Sequence, residues 1–321
     1  MRTRIRHPYK TFVKLGKIAS GNVAYFRRIW AVSSPKSNLS AMESQQNSRA
    51  DQNLRVGIAG FGAVGRSLAK ALAAGIEGLA LSAIVSRDAE RVRSTLPQGA
   101  PEAAPVAVVP ISELAQHAEL IVECAPAAIL PEIAEPALRA GRQVVVLSCG
   151  ALLDNEHLVD LARAHGGRIL VPTGALLGLD AVLAAAEGTI SSVTMTSRKP
   201  PAGLVGAPYL VQNHIDVSQA KGPVRVFEGS AREAARGFPA NVNVAVALSL
   251  AGIGPDRTRI AIWADPTIKR NTHMIEVESD AASFSMSIAG VPSENPRTGK
   301  ITGQSVIALL RKLRAPLAVG T

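Results

Sequence analysis

Gly60-Phe61-Gly62-Ala63-Val64-Gly65 has the spacing G-x-G-x-x-G. The pattern gains meaning from its setting: it follows the apolar run Arg55–Ala59 and opens a helical pattern over Val64–Ala74. Gly60 permits a tight turn, Gly62 lets the backbone approach a pyrophosphate, and Gly65 allows close helix–strand packing. The helix start, with Ala63 and Val64 in its first turn, turns free N–H groups and the positive dipole end toward the phosphates. The competing reading is a glycine turn of any α/β unit. A second apolar run, Leu79–Val85, ends 20 residues after Gly65, where ribose recognition belongs. Ser86 and Arg87 stand there, with Asp88 just beyond. Arg87 suits a 2′-phosphate and Asp88 is late for the 2′-hydroxyl, so the reading admits NADP as well as NAD. The alternative is that Arg87 and Asp88 only open a solvated helix.

Proton transfer near neutral pH calls for histidine. His117, His157 and His165 fall in or beside helices of the first half and read as surface residues; His7 lies near the N-terminus. His214 and His273 lie in the second half, and His273 opens the apolar run Met274–Val277 at a strand mouth. Position alone favours a structural histidine there. Cys149, in Ser148-Cys149-Gly150-Ala151, raises a rival chemistry, thiolate attack on an aldehyde as in semialdehyde dehydrogenases. No histidine is near it in sequence, and a small buried residue closing a strand is the simpler reading, as for Cys124. No His, Cys or acid cluster has metal-ligand spacing, so no metal is expected.

The elements that must position these groups alternate regularly from Leu54. Apolar runs at 55–59, 79–85, 106–109, 120–124, 143–147 and 168–171 are separated by helical patterns, the arrangement of a parallel sheet covered on both faces. After Val171 a glycine-rich link, 174–180, leads to an alanine-rich helix at 181–187. Strand-like runs follow at 190–197, 224–228, 259–264, 274–278 and 284–288, with a Pro-rich loop at 199–208 and a helical run at 243–250. The last three strands alternate, which suits antiparallel pairing with one face covered. The fold class expected is α/β: a Rossmann-type doubly wound parallel sheet plus an α/β catalytic domain with a mostly antiparallel sheet. The expected division is an extension at 1–53, a dinucleotide-binding domain at 54–172 and a catalytic and dimerisation domain at 173–302.

Composition bounds the partners. The chain has 321 residues, 47% hydrophobic and 19% charged, enough for two cored domains and not for pervasive disorder. No stretch of 18 apolar residues occurs, so no membrane partner is expected. Two cysteines exclude a disulfide scaffold and suit a reducing, cytoplasmic setting. Residues 1–50 hold ten Lys or Arg against one acid, Glu43, whereas the other 271 hold 25 basic and 24 acidic groups. Nearly all of the net charge of +10 therefore belongs to the extension, and the near-neutral body argues against a nucleic-acid partner. The extension reads as a tail or as sequence upstream of a start at Met42; an organellar targeting segment is the alternative.

Several long stretches of the second half resemble the L-aspartate dehydrogenases. They are Val171-Pro172-Thr173-Gly174-Ala175-Leu176-Leu177-Gly178-Leu179-Asp180, Ser197-Arg198-Lys199-Pro200-Pro201, 227–234, 239–244, Asp265-Pro266, Asn271-Thr272-His273 and 292–298. The resemblance runs from about Leu54 to Arg314. It implies His273 as the catalytic acid/base, Ala175 and Asn243 in the NAD(P) site, a homodimer, and a final helix at 303–313 packing back on the first domain. It implies oxidation of L-aspartate through iminoaspartate to oxaloacetate and ammonia, or the reverse, with a possible supply of iminoaspartate to NAD biosynthesis. A substrate with two carboxylates needs cations. Lys199, in a Pro-bounded loop, is the first choice, with Arg198, Arg270 and Arg297 behind it. Asn243 suits the nicotinamide carboxamide, or a helix N-cap together with Asn241. The alternatives are another NAD(P)-dependent oxidoreductase, such as a semialdehyde dehydrogenase using Cys149, and a non-catalytic dinucleotide sensor.

Overall fold

The computed structural model describes residues 53–96, 105–240, 242–293 and 299–321. Residues 1–52 of the extension, Asn241 and Arg297 therefore lie outside the described residues. Among the described residues no helix is long and apolar enough to cross a membrane.

The first half builds one parallel sheet from β1 (Leu54–Ala59), β2 (Leu79–Val85), β3 (Ala107–Val108), β4 (Leu120–Glu123), β5 (Gln143–Val146) and β6 (Arg168–Leu170). Helices α1 (Ala63–Ala73), α2 (Ala89–Thr95), α3 (Ile111–His117), α4 (Leu130–Arg139) and α5 (His157–His165) connect them. The strand order is β3-β2-β1-β4-β5-β6. Successive strands are laid outward from β1 in one direction and then from β4 in the other, so a crevice opens where the order reverses, at the carboxyl ends of β1 and β4. Both faces are covered, which is why the central strands are apolar throughout: Val56, Ile58, Ile121, Val122, Val144 and Val145 have no exposed surface. Helix α1 buries Leu68, Ala69 and Leu72 against this sheet, on one side of its 3.6-residue period.

The second half adds β7 (Ile190–Lys199), β8 (Val224–Ser230), β9 (Arg259–Ala264), β10 (Thr272–Ser279) and β11 (Ser283–Ala289). Their order is β11-β10-β7-β9-β8. Only β7 with β9 is parallel; the other three pairings are antiparallel. Helices α6 (Leu179–Ala186), α7 (Pro208–Gln212), α8 (Ala231–Gly237) and α9 (Asn243–Ala251) join this half, and α10 (Lys300–Lys312) ends it. Alternation is clean on β10, where His273, Ile275 and Val277 are buried while Met274, Glu276 and Glu278 are exposed. Val306 and Leu310 of α10 sit in the apolar cluster of Val56, Ile58 and Leu68, so the chain's last helix is part of the first sheet's core.

Two short helices, α7 and α8, stand where the pattern of residues assigns no element beyond the loop ending at Pro208. Helix α8 is capped: Ser230 Oγ accepts from Glu233 N at 3.2 Å, and Glu233 Oε2 accepts from Ser230 N at 2.7 Å.

Candidate active site

A cavity of about 710 Å³ lies where the two sheets meet, within the range of small-molecule and cofactor sites. One wall comes from the glycine turn and the ends of β4 and β5, the other from β7, β10 and α9.

The glycine turn divides its labour. Gly60 has φ +108°, and a Cβ there would lie 2.6 Å from the Cys124 carbonyl oxygen. A Cβ on Gly65 would lie 2.1 Å from the Gly60 carbonyl oxygen. Both positions require glycine for the backbone to close. Gly62 differs: a Cβ there would meet nothing within 4 Å, and Gly62 lines the cavity with Ala63 and Val64. Packing therefore does not demand glycine at Gly62, and its open side leaves room for a ligand to approach the backbone closely. Helix α1 has no side-chain cap and no acid in its first turn, so its leading N–H groups are free for an anion. These residues fit a dinucleotide pyrophosphate. Ser86 and Arg87 do not line the cavity. Asp88 caps α2, its Oδ1 accepting from Arg91 N at 2.8 Å.

The opposite wall is built by strand register. Ser197 and His273 are direct cross-strand partners on β7 and β10, and Lys199 lies two residues beyond Ser197 on the same inward face. These three polar groups continue an apolar row that holds Val193 and Met195. His273 is 4% exposed, and its Nδ1 lies 3.0 Å from Ser197 Oγ. With Nδ1 engaged there, Nε2 is the nitrogen left for a ligand. Burial, with the nearby Lys199 charge, lowers the imidazole to about 3. Lys199 is 4% exposed, and burial lowers its amine to about 8. It is the last residue of β7 rather than part of the loop expected for it. The strand continues because Lys199 pairs with Ala264 and its carbonyl accepts from Asp265 N at 2.8 Å.

The other cations proposed for a carboxylate are placed elsewhere. Arg198 points to the opposite face of β7, with its Nη1 3.3 Å from Asp265 Oδ2 and its guanidinium 5.0 Å from the Trp263 ring centroid. Arg270 is exposed and does not line the cavity. His214 is exposed outside it, as are His157 and His165, while His117 is half-buried. Lys269 and Asn271 do line it and were not singled out from the residues.

Ala175 and Asn243 both line the cavity. Asn243 is the first residue of α9 and not its cap. Its Oδ1 accepts from Gly150 N at 3.0 Å, which joins α9 to the turn after β5. Cys149 is 2% exposed, its Sγ donates to the Asn243 carbonyl at 2.9 Å, and burial, reinforced by the Glu123 charge, pushes its thiol up to about 12. A thiol so protonated is a poor nucleophile. Cys124 is likewise pushed well up by burial.

Glu123, overlooked in the sequence, is fully buried in the cavity wall at the end of β4. Its oxygens accept from Ala125 N (3.0 Å), Leu147 N (3.0 Å), Ser148 N (2.8 Å) and Ser148 Oγ (3.0 Å). Burial raises this carboxyl above its ordinary value, by more than those hydrogen bonds lower it. The available signal was an acid closing the apolar run Leu120-Ile121-Val122.

Known proteins match both halves. The family model "Homoserine dehydrogenase, NAD binding domain" matches residues 60–172, and "Aspartate dehydrogenase, C-terminal" matches 180–313. The L-aspartate dehydrogenase of Bradyrhizobium diazoefficiens is 60% identical over 272 residues, covering 85% of this chain and 96% of that protein. The chain belongs to the L-aspartate dehydrogenase family. L-aspartate dehydrogenase 3 of Bordetella bronchiseptica is 56% identical, covering 84% of this chain and 98% of its own. The crystal structure of aspartate dehydrogenase from Thermotoga maritima shares the fold, with a TM-score of 0.61 at 23% identity, over 84% of this chain and all of that one. As an aspartate dehydrogenase family member the chain is an NAD(P)-dependent oxidoreductase, and the G-x-G-x-x-G turn lies inside its NAD-binding match.

Proposed function

We propose that this protein oxidises L-aspartate at its α-carbon to iminoaspartate, or runs the reverse reaction, with hydrolysis of the imine giving oxaloacetate and ammonia. The observation that carries the reading is the convergence of His273 and Lys199 on the same cavity wall, facing the glycine turn across about 710 Å³. Bound NAD(P) supplies the hydride acceptor or donor. The chain's own residues do the rest. Gly62 and the start of α1 hold the pyrophosphate, with Ala175 and Asn243 beside them. Lys199 pairs with a substrate carboxylate. His273 takes a proton from the substrate ammonium at Nε2, because the nitrogen must be neutral before hydride can leave its carbon.

Burial and the Lys199 charge hold His273 at about 3 without a ligand. A carboxylate on Lys199 cancels the second of these influences, so the substrate itself raises the basicity of the imidazole. The cleft between the sheets keeps the reacting carbon and the cofactor in one orientation. Ser86 and Arg87 are the residues proposed for the adenosine ribose, with NADP accepted as well as NAD. The reading includes a homodimer in the cytoplasm, consistent with two unpaired thiols, and a supply of iminoaspartate to NAD biosynthesis.

The test incubates purified protein with NAD or NADP and a panel of amino acids while reduced-cofactor absorbance is followed. Absorbance should rise with L-aspartate and not with monocarboxylic amino acids; failure of L-aspartate with both cofactors overturns the reading. Sedimentation velocity checks the dimer.

A further inference from the structure

We propose that the buried carboxylate of Glu123 sets which redox form of the nicotinamide this protein holds more tightly, favouring the oxidised, positively charged ring over the reduced, neutral one. The inference rests on the functional reading above only in requiring that NAD(H) binds this cavity.

In the strand order β3-β2-β1-β4-β5-β6 the two mononucleotide halves of a dinucleotide lie on either side of the reversal between β1 and β4. The half beyond the pyrophosphate therefore lies over the ends of β4 and β5. Glu123 ends β4, and the Ser148-Cys149-Gly150 turn that its side chain holds follows β5. Three main-chain N–H groups and one hydroxyl converge on its two oxygens, a donor set that suits the anion. Glu123 forms no described ion pair, so its charge is neutralised by dipoles alone. Glu123 itself lines the cavity, as does Cys149 of the turn it holds. With no exposed surface, Glu123 is poorly screened by water.

A fixed negative charge beside a group that is cationic when oxidised and neutral when reduced stabilises the oxidised form. The bound couple then gives up hydride more readily, which tilts the internal equilibrium toward reduction of the imine. Lys199, on the opposite wall, acts in the other sense. It is common to the unmodified protein and the variants below, so it cancels in the comparison.

The experiment measures dissociation constants for NAD+ and NADH separately, by calorimetry and NADH fluorescence, with no amino acid present. Glu123→Gln and Glu123→Met remove the charge; Glu123→Asp keeps it while disturbing the hydrogen bonds. Thermal melts identify the folded variants, and Met offers an apolar replacement if the Gln amide cannot face those N–H donors. The ratio Kd(NAD+)/Kd(NADH) should rise on the order of tenfold in the uncharged variants, the scale of one unit charge acting through a poorly screened protein interior with an effective dielectric of ~20. It should stay within about twofold in Glu123→Asp. A ratio that is unchanged in the uncharged variants, or that moves equally in Asp, overturns the proposal. Normal NAD(H) binding without L-aspartate turnover would instead overturn the substrate reading and leave this result standing.

Discussion

His273 and Lys199, with Ser197 between them, are the polar residues that continue the apolar row of Val193 and Met195, and that contrast makes their chemistry legible. His273→Ala should cut kcat by roughly 10²–10⁴-fold if the imidazole moves the proton, measured at saturating aspartate and cofactor. Lys199→Met should raise KM for aspartate by roughly 10–100-fold, the scale of a lost hydrogen bond to a charged group. In the unmodified enzyme the aspartate KM should climb as pH passes about 8, where Lys199 loses its charge. Stability follows a linked rule. The amine titrates at about 8 folded and near 10.5 unfolded, so between those values the unfolded chain binds more protons and stability rises with pH. Urea titrations should show that rise in the parent and a flattened one in Lys199→Met. His273 has the same sign lower down, neutral when folded until about 3, so acid erodes stability below 6.5.

At the scale of elements, the glycine turn and the second sheet make separable demands. Gly65→Ala forces a Cβ to 2.1 Å from the Gly60 carbonyl oxygen, so the variant should lose several degrees of melting temperature along with cofactor affinity. Gly62→Ala has open space around its new methyl and should melt like the parent, yet bind NADH at least roughly tenfold more weakly. Equal effects in the two variants would contradict this division. The apolar strand and glycine spacing make β1, the turn and α1 readable in one dimension. β7 is read only in part: its run is visible to Ser197, but Pro200 and Pro201 make Lys199 look like loop. The strand holds for two more residues because β9 pairs with it as far as Ala264.

At the scale of the molecule, the cavity belongs to neither half alone. Glu123, Cys149 and Gly62 come from the first, Lys199 and His273 from the second, and Asn243 ties the halves through Gly150. A second tie is the pairing of Arg232 with Glu156 (3.4 Å), the guanidinium being also held by Asp256 (2.7 Å) of its own half. A ligand that touches both walls should stabilise both together. NADH at about 100 times its Kd should add roughly 2.7 kcal/mol, seen as one coherent upward shift in melting temperature. Hydrogen exchange should slow on β7 and β10 as well as at the glycine turn, and protection confined to the first sheet would count against a shared site.

What the residues alone determined is local and periodic: the parallel sheet, the glycine turn, the alternation of the later strands and, through resemblance, the histidine at 273. These are legible because period, spacing and backbone freedom are properties of neighbours along the chain. Three things waited for the tertiary structure. Ser197 meets His273 only through antiparallel register, the two standing 76 positions apart in the chain. Arg198 is turned away from the cavity by strand alternation and taken up by Asp265, while Lys199 is turned in. Glu123 becomes a fully buried, hydrogen-bonded carboxyl because the chain following β5 brings the N–H groups of Leu147 and Ser148 to it. Each depends on which strand lies beside which, a long-range choice made by burial of the whole core.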